Sequence, residues 1–157
     1  MFVRHLLVAT DFSDRSRAAL NYAVDLARAL AAEIDLLHVV PPPPKTEMVI
    51  DAYLGRALPA VSEELISTAQ RRLESLLANL PHEGVRVRTL VEAGDPAATI
   101  VRIASELPSD LVLIGTHARI GLSELVLGSV AHRVLTCAPC PVVTLRGDEA
   151  ALRPRPA

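Results

Sequence analysis

The sequence predicts a single doubly wound α/β domain on a five-stranded parallel sheet, with helices on both faces. Three observations carry this. Five short apolar runs of strand length alternate with four stretches in which apolar residues recur at helical spacing. The runs are close to continuously apolar, as strands covered on both faces require. At 157 residues the chain suits one domain, large enough to bury about 70% of its unfolded surface. Right-handed crossovers then restrict the topology, and 3-2-1-4-5 is the expected strand order.

The first apolar run is Val3 to Ala9 (VRHLLVA), broken by Thr10-Asp11-Phe12-Ser13. Ser13 suits an N-cap, with Asp14 placed where a helix start favours negative charge. Ala19, Ala23, Leu26 and Leu30 mark the apolar face of the helix that follows. Ile34 to Val40 is the second strand, stopped by prolines at 41–44. The connection from Pro41 to about Pro59 is long, and reads either as a lid or as a mobile surface insertion. Val61, Leu65, Ala69, Leu73, Leu76 and Leu80 define the second helix, ended by Pro81 and Gly84. Val85 to Val91 alternates as the third strand, with Val85, Val87, Thr89 and Val91 on one face.

Asp95-Pro96 pairs an N-cap with proline at the first helical position, and Ile100, Ile103, Ala104 and Leu107 form the apolar face of that helix. After Pro108-Ser109-Asp110 come a strand at Leu111–Ile114, a helix from about Ser123 to Thr136, and a last strand at Pro141–Leu145. The domain is expected to end near residue 146, with 147–157 a disordered tail.

Composition narrows the function classes. The net charge of −2 offers no basic field to DNA or RNA, and two Tyr, two Phe and no Trp leave little for base stacking. The N-terminal apolar run is too short for a signal peptide, and no segment nears the ~20 apolar residues of a membrane span. The expectation is a soluble cytoplasmic protein.

The segment Asp110 to Val130 (DLVLIGTHARIGLSELVLGSV) bears most directly on function. An apolar strand, a glycine-bearing loop and a helix start form a backbone cradle of the kind that binds phosphate. It is not a Walker loop, since Gly-x4-Gly-Lys-Ser/Thr is absent and the segment has no lysine. With strands 1 and 4 central, Thr10-Asp11 faces Gly115 onward across the crevice at the strand carboxyl ends. Asp11 reads equally as a ligand contact or as a turn residue. His38 and His5 lie within apolar strands and read as structural, while His117 and Arg119 read as loop residues. Cys137-Ala-Pro-Cys140 follows a helix end, where the dipole has the wrong sign to activate a thiol, so packing cysteines are expected.

These residues carry a family resemblance. The opening VRHLLVATDFSDRSRAAL, the strand IDLLHVV, and GTHARIGLSELVLGSVAHRVLTCAPCPVVTL together resemble a universal stress protein across residues 1–146. The nucleotide-binding branch of that family has the pattern Gly-x2-Gly-x9-Gly-Ser/Thr, matched here by Gly115, Gly128 and Ser129, with Ala118 in place of the second glycine. The resemblance implies ATP, with Mg2+ or Mn2+ accompanying it. It places Asp11 at the ribose or triphosphate and Val39 at adenine, with Ala9 and Thr10 nearby. It gives the phosphates to Gly115 (after Ile114), Ala118, Gly128, Ser129 and Val130, and it implies a homodimer through Pro141–Leu145.

No nucleophile elbow, metalloprotease motif or phosphate-binding lysine is present, and carboxylates near the loop reduce to Asp11 and Glu124. Phosphoryl transfer needs a positioned metal, nucleophile and charge stabilisation together. A nucleotide-binding stress-response module is therefore favoured over two alternatives, a dimeric interaction protein without nucleotide and a slow ATPase.

Overall fold

A computed structural model describes residues 2–44, 53–54, 61–116 and 128–146. Along it run β1 (His5–Ala9), α1 (Asp14–Leu30), β2 (Glu33–Val40), α2 (Glu63–Ala78), β3 (Val87–Ala93), α3 (Pro96–Glu106), β4 (Leu111–Thr116), α4 (Ser129–Cys137) and β5 (Val142–Arg146). The five strands form one sheet in the order β3-β2-β1-β4-β5. Every pairing is parallel. The architecture and strand order are those expected. The 147–157 tail, residues 45–52 and 55–60 of the long connection, and His117, Ala118, Arg119, Gly121, Ser123 and Glu124 lie outside the described residues.

Alternation along the strands divides the core. Leu6, Val8, Leu36 and Leu113 pack with Ala19, Leu20, Ala23 and Leu73, so α1 and α2 cover one face. Leu7, Ala9, Leu37, Val112 and Ile114 pack with Ile100, Ile103, Ala131 and Val134, so α3 and α4 cover the other. A one-residue slip of any central strand would exchange its two buried sets, which pins the register.

The capping residues act as the sequence predicts. Ser13 accepts from Ser16 N at the start of α1, and Asp95 accepts from Ala98 N at the start of α3, where Pro96 begins the helix. Asp110 ties the first strand to the fourth, its Oδ2 accepting from Arg4 N at 2.8 Å and His5 N at 3.0 Å. These two hydrogen bonds, that from Arg4 first, hold the Asp110 carboxyl below its ordinary value.

Some boundaries differ from expectation. β1 begins at His5, where its pairing with β2 starts opposite Glu33. His5 is exposed, not packed within the strand as expected. β3 runs from Val87 to Ala93, not Val85 to Val91. Gly84 takes φ +80 and Val85 N bonds back to His82 O, so Val85 still belongs to a turn. β4 continues through Gly115 and Thr116, which pair with Leu145 and Arg146, so Gly115 is a strand residue and not a loop residue.

The helix expected from about Ser123 starts at Ser129. Gly128 is extended, with φ −54° and ψ 148°, and serves as the N-cap. Leu125, Val126 and Leu127 extended the apolar helical pattern, but periodicity does not register a cap whose side chain is absent.

Candidate functional site

The chain reverses direction across the sheet between β1 and β4, and a cavity of about 630 Å3 opens beyond the carboxyl ends of those strands and β2. Ala9, Leu37, Val39 and Ile114 form its apolar floor, with Ile100 at one side. Thr10, Asp11 and Ser16 enter from the β1–α1 turn, and Gly128, Ser129, Val130 and Ala131 from the start of α4. All nine expected site residues within the described structure (Ala9, Thr10, Asp11, Val39, Ile114, Gly115, Gly128, Ser129 and Val130) line this one cavity.

The β1–α1 turn is locked by its own side chains. Thr10 N donates to Leu37 O at 2.9 Å, which carries β1 alongside β2 past its last paired residue. Thr10 Oγ1 accepts from Phe12 N at 3.1 Å and lies 3.0 Å from Ser16 Oγ, buried beneath the turn. Asp11 Oδ1 accepts from Ser13 N at 3.0 Å and Ser13 Oγ at 2.5 Å. Burial pushes the Asp11 carboxyl up, but the hydrogen bonds from the Ser13 side chain and backbone and from Ser16 outweigh it, leaving the value below ordinary. Asp11 is therefore a turn residue whose anionic carboxylate also borders the cavity, and the two readings of it are compatible.

Phe12 occupies the left-handed region at φ +65°, an outlier for an aromatic residue. Its ring is held between His38, at a centroid distance of 4.3 Å, and the Arg72 guanidinium, 4.0 Å above the ring centre. His38 Nδ1 lies 2.8 Å from Thr10 O; since a carbonyl only accepts, Nδ1 carries the proton. Burial leads in holding the His38 imidazole below its ordinary value, and Arg72 adds to that, against the Thr10 hydrogen bond and Asp11. The structural role read for His38 is met, and His38 also borders the cavity.

The two glycines of the site have different reasons. A Cβ on Gly115 would lie 2.7 Å from Arg15 C and O and 2.8 Å from Ser16 N, so this glycine lets β4 pass against the first turn of α1. A Cβ on Gly128 would meet no described heavy atom within 4 Å, and its φ suits any residue. Among the described residues, fold geometry therefore accounts for Gly115, while no packing contact calls for glycine at 128.

Both helices on this face start at the cavity, but only one start is closed. The Asp95 side chain caps α3 and binds Arg133 of α4 at 2.9 Å. Among the described residues the α4 start has no side-chain cap, and its first intrahelical acceptor, Gly128 O, serves His132 N. The amides of Ser129, Val130 and Ala131 are thus the helix-start donors left at the cavity, where the helix dipole favours negative charge. Among the described residues Asp11 is the one carboxylate lining the cavity, and one or two carboxylates beside phosphate oxygens are a fitting set for Mg2+. Among the described residues no three His, Cys, Asp or Glu side chains converge.

Ser16, Leu37, Pro41, Pro96, Ile100 and Ala131 also line the cavity and were not foreseen in that role. Ile100 follows helical spacing and reads as core, and both it and Ala131 do belong to the core. Asp95-Pro96 signals a helix start, and only the strand order shows that this start opens on the site.

The cysteines lie apart from the cavity. Cys137 ends α4 and is exposed, contrary to the expected packing, while Cys140 is half-buried against the α3–α4 core cluster. Burial first, then Asp110, raises the Cys140 thiol, in keeping with an unactivated cysteine. No helix among the described residues is long and apolar enough to cross a membrane.

Comparison with known proteins gives consistent matches. A family profile described as "Universal stress protein family" matches residues 3–146. Universal stress protein YxiE of Bacillus subtilis is 33% identical over 149 residues, covering 90% of this chain and 97% of the relative. The solved structure of protein MJ0577, from Methanocaldococcus jannaschii, superposes with a TM-score of 0.72 at 26% identity, covering 93% of this chain and 97% of that one. A universal stress protein from Archaeoglobus fulgidus, solved in complex with dAMP, has a TM-score of 0.64 at 24% identity, covering 92% of this chain and 99% of that one. At that identity the last likeness is one of fold.

Proposed function

The chain belongs to the universal stress protein family, and on that premise we propose that it binds an adenine nucleotide, ATP in the first instance, as a stress-response regulatory module. The observation that carries the reading is the pairing of an apolar floor with the uncapped start of α4 across a single cavity. A flat, weakly polar base suits the walls formed by Ala9, Val39 and Ile114. Phosphate oxygens suit the amides of Ser129 and Val130, with Gly115 and Gly128 leaving room for close approach. Gly128 supports this further, because among the described residues nothing crowds a Cβ there and its φ does not call for glycine, which fits a position where a ligand needs the space.

Asp11 would face the ribose or the phosphates and hold Mg2+ or Mn2+ accompanying them. The metal would supply charge neutralisation for the phosphates. Asp11 stays ionised to receive it, because the Ser13 donors stabilise its charged form. The dAMP carried by the Archaeoglobus relative is a ligand of the class proposed. Ala118, where the family pattern has glycine, favours a second reading, a dimeric interaction protein that no longer binds nucleotide. In either reading β5, an edge strand uncharged from Val142 to Leu145 and ending on Arg146, is the surface proposed to join two copies.

Mass spectrometry of small molecules released from the purified protein separates the two readings. Co-purifying adenine nucleotide supports the first. Its absence, together with no heat on titration with millimolar ATP, supports the second.

A further inference from the structure

A second, smaller cavity lies on the opposite side of the β1–α1 turn. It holds about 260 Å3 and is lined by Thr10, Phe12 and Ser13 of the turn, Arg17 of α1, and Arg72, Ser75, Leu76 and Asn79 of α2. That volume falls below the ~300 Å3 at which sites for drug-sized molecules begin, so it suits a single small group.

The two cavities divide the charge between them. Among the described residues, the larger is lined by one carboxylate and no lysine or arginine, the smaller by two guanidiniums and no carboxylate. Among the described residues neither Arg17 nor Arg72 has a carboxylate within 4.0 Å, a state they share with Arg4, Arg15, Arg71 and Arg146; of these, Arg17 and Arg72 are the two that line the cavity. Arg72 is nonetheless held in place, 4.0 Å over the Phe12 ring. The turn joins the cavities directly: Thr10 lines both, Asp11 faces the first, and Phe12 and Ser13 face the second.

We propose that this smaller cavity is an anion site for a phosphate group, bound by Arg17 and Arg72 with the Ser75 hydroxyl as a further donor. Guanidinium forks match phosphate oxygens in geometry and in charge, and the cavity has room for one such group. Phe12 is the structural reason the site exists. Its left-handed backbone turns the ring away from the larger cavity and onto the α1–α2 side, where it positions Arg72 at the wall of the smaller one. The proposal stands independently of nucleotide binding at the larger cavity.

Titration of the full chain with inorganic phosphate, at ionic strength held constant with sodium chloride, tests it by 1H–15N NMR. Saturable shifts are expected at the amides of Phe12, Ser13, Arg17 and Leu76 and at the ring protons of Phe12 and His38. Arg17→Gln, which leaves the Arg72–Phe12 stack in place, should weaken the apparent affinity about tenfold, the loss of one charge-assisted hydrogen-bonding group. Arg17→Gln with Arg72→Gln should abolish saturation. Shifts that do not saturate, that persist in the double variant, or that fall at Ser129–Ala131 instead would overturn the proposal.

Discussion

Gly115 and Gly128 both belong to the motif that suggests nucleotide binding, yet the structure separates their roles, and alanine at each tests the separation. Gly115→Ala puts a methyl carbon 2.7 Å from two backbone atoms of Arg15 and 2.8 Å from Ser16 N. None of these is the end of a flexible side chain, so β4 and the first turn of α1 must move apart. Overpacking of this kind costs about 1–3 kcal/mol, and backbone obstacles place it in the upper half of that range. For a domain of 157 residues that is a fall in melting temperature of about 4–12 °C.

Gly128→Ala meets open space at a permitted φ. Alanine is a poorer N-cap than glycine, but it also lowers the entropy of the unfolded chain, and the two effects offset to within about 0.5 kcal/mol. Urea and thermal unfolding of both variants without ligand give the comparison. Equal losses at the two positions, or a larger loss at Gly128, would refute the division into a packing glycine and a ligand glycine.

Four further outcomes are expected. Gly128→Leu should remove measurable ATP binding in calorimetry while circular dichroism stays that of the wild type; unchanged affinity would count against the α4 cradle. Asp110→Asn should destabilise the protein at neutral pH. The depressed folded pKa of Asp110 gives stability that is present above the unfolded value near 3.8 and lost as pH falls through the folded one, so the gap between variant and wild type should close in acid. A gap that is constant with pH in urea melts would contradict the clamp on Arg4 and His5. Light scattering should show a dimer for the wild type, converted to monomer or aggregate by Thr144→Pro, which removes a donor from the edge strand β5; a monomeric wild type at micromolar concentration would end that proposal. Ala118→Gly should tighten ATP binding about tenfold, since a strained or intruding alanine costs roughly 1–2 kcal/mol, and paired titrations showing no gain would reject that account.

The sheet was legible in the sequence because its central strands are apolar on both faces. Leu6, Leu7 and Val8 are all buried, and only a parallel strand between two helical layers needs such a run. The caps were legible for a related reason, since Ser13 and Asp95 declare themselves by side-chain chemistry. Gly128 caps α4 without a side chain, so the sequence pattern did not mark the start of α4 there. The role of Gly115 was hidden too, because its constraint comes from Arg15 and Ser16, a hundred residues away in the chain. Phe12 was read as part of a break between elements, and nothing in its residue type announced a left-handed backbone. The site residues collected well because the strand order brings the ends of β1, β2 and β4 to one crevice, leaving to the tertiary fold only those contacts, such as Pro96, that another layer supplies.

The central claim is that an adenine nucleotide sits on the apolar floor with its phosphates at the start of α4. The most direct measurement is a titration of the 15N-labelled protein with Mg-ATP, followed at the backbone amides. Saturable shifts are predicted at Val39, at Thr10 and Asp11, and most strongly at Ser129 and Val130, with the amides around Leu30 and Glu33 at the far end of the sheet unmoved. No saturable shift up to millimolar ATP, or shifts that spare Ser129 and Val130, would contradict it.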